Sequence, residues 1–181
     1  MAKIGVGVIG VGSFGEFHIQ AYRALPDVEV VAISDVRESH LREISGKYAI
    51  PHTYCNAREV CARADVQAVS IVTPEALHLE PVLVAAQAKK HILLEKPIAT
   101  TLEDARKIID AAARAGVYLM VGHLLRFETN FGSVRREIQE GNMGKILSIH
   151  ARRNRPKKLY PTYSRTHGIL ENSIHDIDLC L

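Results

Sequence analysis

Ile4-Gly5-Val6-Gly7-Val8-Ile9-Gly10-Val11-Gly12-Ser13-Phe14-Gly15 opens the chain, and Val28-Glu29-Val30-Val31-Ala32-Ile33-Ser34-Asp35 follows one helix length later. Ile4, Val6, Val8 and Ile9 predict a short buried parallel strand. Gly10 permits the tight turn out of it, and Gly12 lacks the side chain that would hold a pyrophosphate off the backbone. Gly15 lets the next helix lie close to the sheet. That helix, predicted from Ser13 to about Leu25, turns its free N–H groups and positive dipole end toward the phosphates, which makes Ser13 and Phe14 candidates alongside the glycines. Gly5 to Gly10 also fits G-x-G-x-x-G, but only four residues precede it, so no strand can feed that turn. The second strand ends at Asp35, where a carboxylate can accept hydrogen bonds from an adenosine ribose. A functionless glycine turn is the competing reading; strand, turn, helix, strand and acid in order count against it.

The remaining chain bounds the answer. Its 181 residues hold one full domain and a piece of another. With 47% apolar and 24% charged residues the composition is that of a globular protein, and a net charge of +3 is too small and dispersed to argue for nucleic acid. No apolar run reaches membrane-span length, and the N-terminus runs directly into a strand. Cys55, Cys61 and Cys180 form no C-x-x-C pair, so neither a disulfide frame nor a zinc site is expected. Reduced thiols in a cytoplasmic protein, with no metal, are the plain reading.

After Asp35 a helix is predicted through about Lys47, then a short strand around Pro51 to Tyr54. Asn56 followed by Glu59 marks a helix start. Asp65 to Val72 returns to strand and ends at Thr73-Pro74. Leu79 to Lys89 is the next helix, its start set near His78 because Pro81 is tolerated only in a first turn. His91 to Glu95 is a strand closed by Lys96-Pro97. Thr101 caps a helix with Leu102, Ala105, Ile108, Ile109 and Ala112 on one face, and Gly116 stops it. Val117 to Val121 is the sixth strand. Such alternation requires crossovers, hence an α/β, doubly wound parallel sheet over residues 1–122. From His123 the pattern changes: a helix over Asn130 to Glu140, a turn over Gly141 to Gly144, and a strand-like alternation over Lys145 to Arg153. A basic run, Arg152 to Lys158, follows, and Ile174 to Leu181 opens a helix. Residues 123–181 are expected to be the incomplete beginning of a second, α/β domain, with the chain a fragment or an early-terminated form.

Gly10-Val11-Gly12-Ser13-Phe14-Gly15 after its strand, Thr73-Pro74 with His78 four residues on, Glu95-Lys96-Pro97, Arg126-Phe127 and Glu171-Asn172-Ser173-Ile174-His175-Asp176-Ile177-Asp178 occur in order. Together they resemble the Gfo/Idh/MocA oxidoreductases, the glucose–fructose oxidoreductase and inositol dehydrogenase family, over essentially the whole chain. The resemblance implies a Rossmann domain, then the truncated start of an α+β substrate domain whose open sheet often joins homo-oligomers. It implies hydride transfer between a nicotinamide and a secondary alcohol of a sugar, cyclitol or related polyol. Lys96, Glu171 and His175 would be the catalytic set. Thr73, Pro74, His78, Glu95, Lys96 and Arg126 would join Gly10, Gly12, Ser13, Phe14, Gly15, Asp35 and Arg37 in binding the cofactor. A histidine titrating near neutrality suits removal of a hydroxyl proton, Glu171 four residues earlier can orient it, and Lys96 can stabilise the developing oxyanion.

Three positions depart from that family. Glu171 stands where Asp is usual, Ser173 where glycine is common, and Lys89 replaces a helix-ending glycine, so Lys89 must turn left-handed or reshape the cap. Asp35 repels a 2′-phosphate and so favours NAD, while Arg37 two residues on keeps NADP open. Taken alone, Lys96 is an exposed strand-end lysine, His175 a helix-cap histidine and His78 a structural partner of its loop. The basic run reads as a solvated edge, without the interleaved aromatics of a nucleic-acid surface. The rival class is a non-catalytic NAD(P)-binding sensor or an inactive fragment on the same fold; a DNA-binding domain has no recognition-helix signature.

Overall fold

A computed structural model describes residues 3–152, 154, 156 and 173–181. Residues 1–122 and 123–181 form two compact units. In the first, the apolar segments become strands β1 (Ile4–Ile9), β2 (Val28–Ser34), β3 (His52–Tyr54), β4 (Ala68–Ile71), β5 (His91–Leu94) and β6 (Leu119–Val121). They alternate with helices α1 (Ser13–Arg23), α2 (Glu38–Tyr48), α3 (Ala57–Cys61), α4 (Leu79–Gln87) and α5 (Leu102–Ala115). All five pairings are parallel and the order is β3-β2-β1-β4-β5-β6. This is the doubly wound sheet that the alternation predicts. The order reverses between β1 and β4, and a sheet of this kind opens its ligand crevice beyond the carboxyl ends of the strands at that point.

Period-two alternation sends neighbouring residues of one strand to opposite faces. Val8 and Ile33 join Val11, Ile19, Leu41 and Ile44 beside α1 and α2. Ile9 and Ala32 join Val60, Ile71, Val82, Leu94 and Ile108 on the other face. Both layers are dry, so the strand ends between them are held to a fixed register. The caps read from sequence are present: Asn56 Oδ1 accepts from Glu59 N at 3.1 Å and Thr101 Oγ1 from Asp104 N at 3.1 Å. Gly116 ends α5 in the left-handed region at φ +68°.

The buried face of α5 is narrower than the sequence predicts. Ile108 and Ala112 are buried, whereas Leu102 and Ile109 are 79% and 51% exposed. Ala111 and Ala115 pack with Ile108 instead, because a single stripe spaced three and four apart is all that one sheet face can cover.

In the second unit a short 3-10 turn (Leu124–Phe127) leads into α6 (Thr129–Gln139), and α7 covers Ile174–Cys180. Glu128 caps α6, accepting from Asn130 N and Phe131 N at 3.1 and 3.2 Å. The strand expected over Lys145 to Arg153 does not form over residues 145–152, and Arg153 lies outside the described residues. Alternation supplies a pattern, but a strand exists only beside a hydrogen-bonded neighbour. Among the described residues of this unit there is none. Of the basic run, only Arg152, Asn154 and Pro156 are described, all exposed.

Candidate functional site

The glycine turn is built by close approach on two sides and left open on the third. Gly10 sits at φ +87°, and a Cβ there would stand 2.8 Å from the Val72 carbonyl and 2.9 Å from Thr73 N. A Cβ on Gly15 would overlap the Gly10 carbonyl. These two glycines are therefore demanded by the fold. Gly12 is not: its Cβ would meet only the Arg37 guanidinium, at 4.0 Å. The bare backbone at Gly12 faces open space at the start of α1, an 11-residue helix whose N-cap makes no side-chain hydrogen bond. The first-turn N–H groups of such a helix suit a diphosphate. Thr73 Oγ1, at the end of β4, is buried without a hydrogen-bond partner among the described residues, and a buried hydroxyl left so is commonly satisfied by something bound. The residues present fit a dinucleotide.

Asp35 lies at the end of β2 with its side chain 8% exposed. Its Oδ2 accepts from Val11 N at 3.2 Å and from Arg37 Nη2 at 3.1 Å, and its Oδ1 from Arg37 N at 3.0 Å and Arg37 Nε at 2.9 Å. Burial works to raise the Asp35 pKa, but the Arg37 guanidinium and the two backbone N–H groups outweigh it and hold the carboxyl below its usual range.

Lys96 follows β5, next in the sheet to β4. Ile9, Ile71 and Leu94 are registered partners across β1, β4 and β5, so the glycine turn and Lys96 leave the same sheet edge two strand spacings, about 10 Å, apart. The Lys96–Pro97 peptide is cis. The backbone around Lys96 is gripped from both sides. Glu95 Oε2 accepts from Lys96 N at 3.1 Å. On the far side the buried His78 ring reaches the Pro97 carbonyl with Nδ1 and the Thr73 carbonyl with Nε2, both at 3.0 Å. His78 thus joins the loop after β4 to the loop after β5. Its ring is committed to carbonyls, so among the expected cofactor residues it is one that shapes the seat. Pro74 is exposed beside Thr73, and Ser13 and Phe14 are exposed on the first turn of α1.

The second unit holds its own cluster. Arg126 spends its fork on Asp178, Nε to Oδ2 at 2.7 Å and Nη2 to Oδ1 at 2.8 Å. That bidentate pair ties α7 to the 3-10 turn and occupies the guanidinium that the sequence reading gave to the cofactor. The Arg126 hydrogen bonds hold the Asp178 carboxyl below its usual range, and burial only partly opposes this. His175, buried on α7, lies edge-on to His123 with ring centroids 6.2 Å apart, and His123 Nδ1 is 3.6 Å from Asp178 Oδ2. Glu171 lies outside the described residues, so its place relative to His175 is not described.

Sequence reasoning passed over Asp178, although it stands three residues after His175 on one helix and so shares its face. It also passed over His18, Tyr22 and Ser70. The signal was there: Gly15, His18, Ile19 and Tyr22 are the inward stripe of α1, and two of those four positions are polar. Nothing in the pattern singles out His123.

Among the described residues no helix is long and apolar enough to cross a membrane, and no group of three His, Cys, Asp or Glu could hold a metal ion. Comparison with known proteins gives a match over residues 4–123 to the model of an oxidoreductase family with an NAD-binding Rossmann fold. A myo-inositol 2-dehydrogenase of Thermotoga maritima is 35% identical over 178 residues, covering 96% of this chain and 53% of that enzyme. The crystal structure of a probable dehydrogenase from Thermotoga maritima superposes with a TM-score of 0.87 at 31% identity, over 98% of this chain and 54% of that one. The WlbA dehydrogenase from Bordetella pertussis, crystallised with NADH and UDP-GlcNAcA, gives 0.87 at 26% identity, over 98% and 54%. The chain spans about half the length of these relatives.

Proposed function

This chain belongs to the Gfo/Idh/MocA oxidoreductases, and from that premise we propose that it binds NAD(H) and serves hydride transfer to and from a secondary alcohol of a sugar, cyclitol or related polyol. The observation that carries this reading is the shared sheet edge of Gly12 and Lys96, with Gly12 open where packing does not require glycine. The 35% identity to a myo-inositol 2-dehydrogenase supports the polyol class. NADP remains the alternative cofactor through Arg37. Free thiols at Cys55, Cys61 and Cys180 suit a cytoplasmic setting, and the whole protein is expected to be a homo-oligomer.

The bound nicotinamide supplies the hydride acceptor. Lys96 donates a hydrogen bond to the reacting oxygen and stabilises the negative charge that grows there. The His175 imidazole takes the hydroxyl proton as the hydride leaves the carbon, and Glu171 orients and charge-stabilises that imidazole. Positioned acid–base groups of this kind contribute about 100- to 10,000-fold.

Steady-state assays of the complete protein over a sugar and polyol panel test the reading. Lys96→Ala is expected to lower kcat by at least about 100-fold while the NADH dissociation constant stays within a few-fold. NADH binding with no turnover of any polyol would favour the sensor instead.

A further inference from the structure

His18 and Tyr22 lie on the inner stripe of α1, where an apolar residue would serve packing, and both meet polar groups of the sheet. Tyr22 Oη is 2.7 Å from Ser70 Oγ, His18 Nδ1 is 3.1 Å from Ser70 Oγ, and His18 Nε2 is 3.1 Å from Glu95 Oε1. Ser70 is fully buried in β4, and Glu95 is buried at the end of β5. One assignment of protons satisfies the whole chain: Tyr22 donates to Ser70, Ser70 to His18 Nδ1, and His18 Nε2–H to Glu95. The second Glu95 oxygen accepts from Lys96 N at 3.1 Å.

The surroundings are shaped to this carboxylate. A Cβ on Gly122 would stand 2.9 Å from Glu95 Oε1, so the end of β6 leaves room for it. Burying a carboxylate costs several kcal/mol unless it is paired and hydrogen-bonded. Packing alone gives no reason to place one here, since the neighbouring core of Ile71 and Leu94 is apolar. What the carboxylate provides is an acceptor fixed against the Lys96 backbone. Burial would raise the Glu95 pKa, yet the His18 contact and the Lys96 N–H hold it below the usual carboxylate range, so it stays ionised in that role.

We propose that His18 is a positioning residue for Lys96, acting through Glu95, with Ser70 and Tyr22 fixing the imidazole. The proposal rests on the reading that Lys96 touches the reacting oxygen. A displacement of such a group by about 1 Å can cost on the order of 100-fold.

The test has two arms in the complete protein. In the first, His18→Ala is expected to lower kcat about 10- to 100-fold, with the NADH dissociation constant changed less than about 3-fold. His18→Gln, which keeps a donor for Glu95, is expected to recover most of the loss. A kcat within 2-fold of the parent in His18→Ala, or no recovery in a folded His18→Gln, would overturn it. The second arm needs no turnover: hydrogen exchange at the Lys96 amide should quicken at least about 10-fold in His18→Ala and return toward the parent rate in His18→Gln. Tyr22→Phe, which keeps the ring, should quicken it by a smaller factor. If no polyol is turned over but the Lys96 amide responds in this way, the catalytic reading fails and the coupling of His18 to Lys96 stands. An unchanged Lys96 amide in folded His18→Ala would overturn the coupling itself.

Discussion

A methyl group on Gly12 and one on Gly15 ask different things of the molecule. On Gly15 it collides with the Gly10 carbonyl, whereas on Gly12 it stands in open space 4.0 Å from Arg37. Gly15→Ala is therefore expected to cost about 1–3 kcal/mol of stability. Gly12→Ala is expected to stay within about 1 kcal/mol of the parent while weakening NADH binding at least about 10-fold. Thermal melts beside NADH titrations separate the two, and equal stability losses would reject the assignment. Asp35 carries a second prediction. Val11 N and three Arg37 donors fill its acceptor positions, so a ribose diol must displace the half-exposed guanidinium, and a 2′-phosphate would meet the carboxylate's charge. NADH should bind at least about 10-fold more tightly than NADPH, and Asp35→Asn should narrow the ratio. Comparable dissociation constants for the parent would reject this. At this scale the sequence was legible wherever a residue type has one dominant use, as with Gly10 at φ +87°. It was opaque at His18 and His78, whose roles depend on carbonyls and carboxylates reached only after folding.

Helix ends were legible because their chemistry is local. Asn56 and Thr101 accept from the third residue of the helices they cap. Lys89, flagged as the wrong residue for a left-handed cap, takes that conformation at φ +58°. Its N–H reaches the Ala86 carbonyl at 3.0 Å and the Lys90 N–H reaches Ala85 at 2.9 Å, which closes α4 in a Schellman motif. A non-glycine residue there costs about 1 kcal/mol. Lys89→Gly is accordingly expected to stabilise the protein by about 0.5–1 kcal/mol, less a few tenths for the lost Nζ bond to the Ala115 carbonyl. Chemical denaturation measures this, and a loss of stability would contradict it. Ala49 closes α2 in the same way at φ +52°, and no sequence signal foretold it. The missing strand over 145–152 and the exposed Leu102 and Ile109 failed for one reason: periodicity records a residue's pattern and not the partner that covers it.

For the molecule as a whole, the six-strand order follows from the alternation of strand and helix together with short crossovers, so residues 1–122 could be read almost entirely from the chain. The second unit could not. It has two long-enough helical patterns, and its Arg126–Asp178 pair joins residues 52 apart in sequence, which spacing alone does not reveal. The central claim is that a dinucleotide diphosphate rests on the open backbone at Gly12 and the first turn of α1. Its most direct test is amide hydrogen exchange with and without saturating NADH. The account predicts slowed exchange at Gly12, Ser13, Phe14 and Gly15, with Leu102–Ala115 unchanged. Saturable NADH binding that leaves those four amides exchanging at their unliganded rates would contradict it.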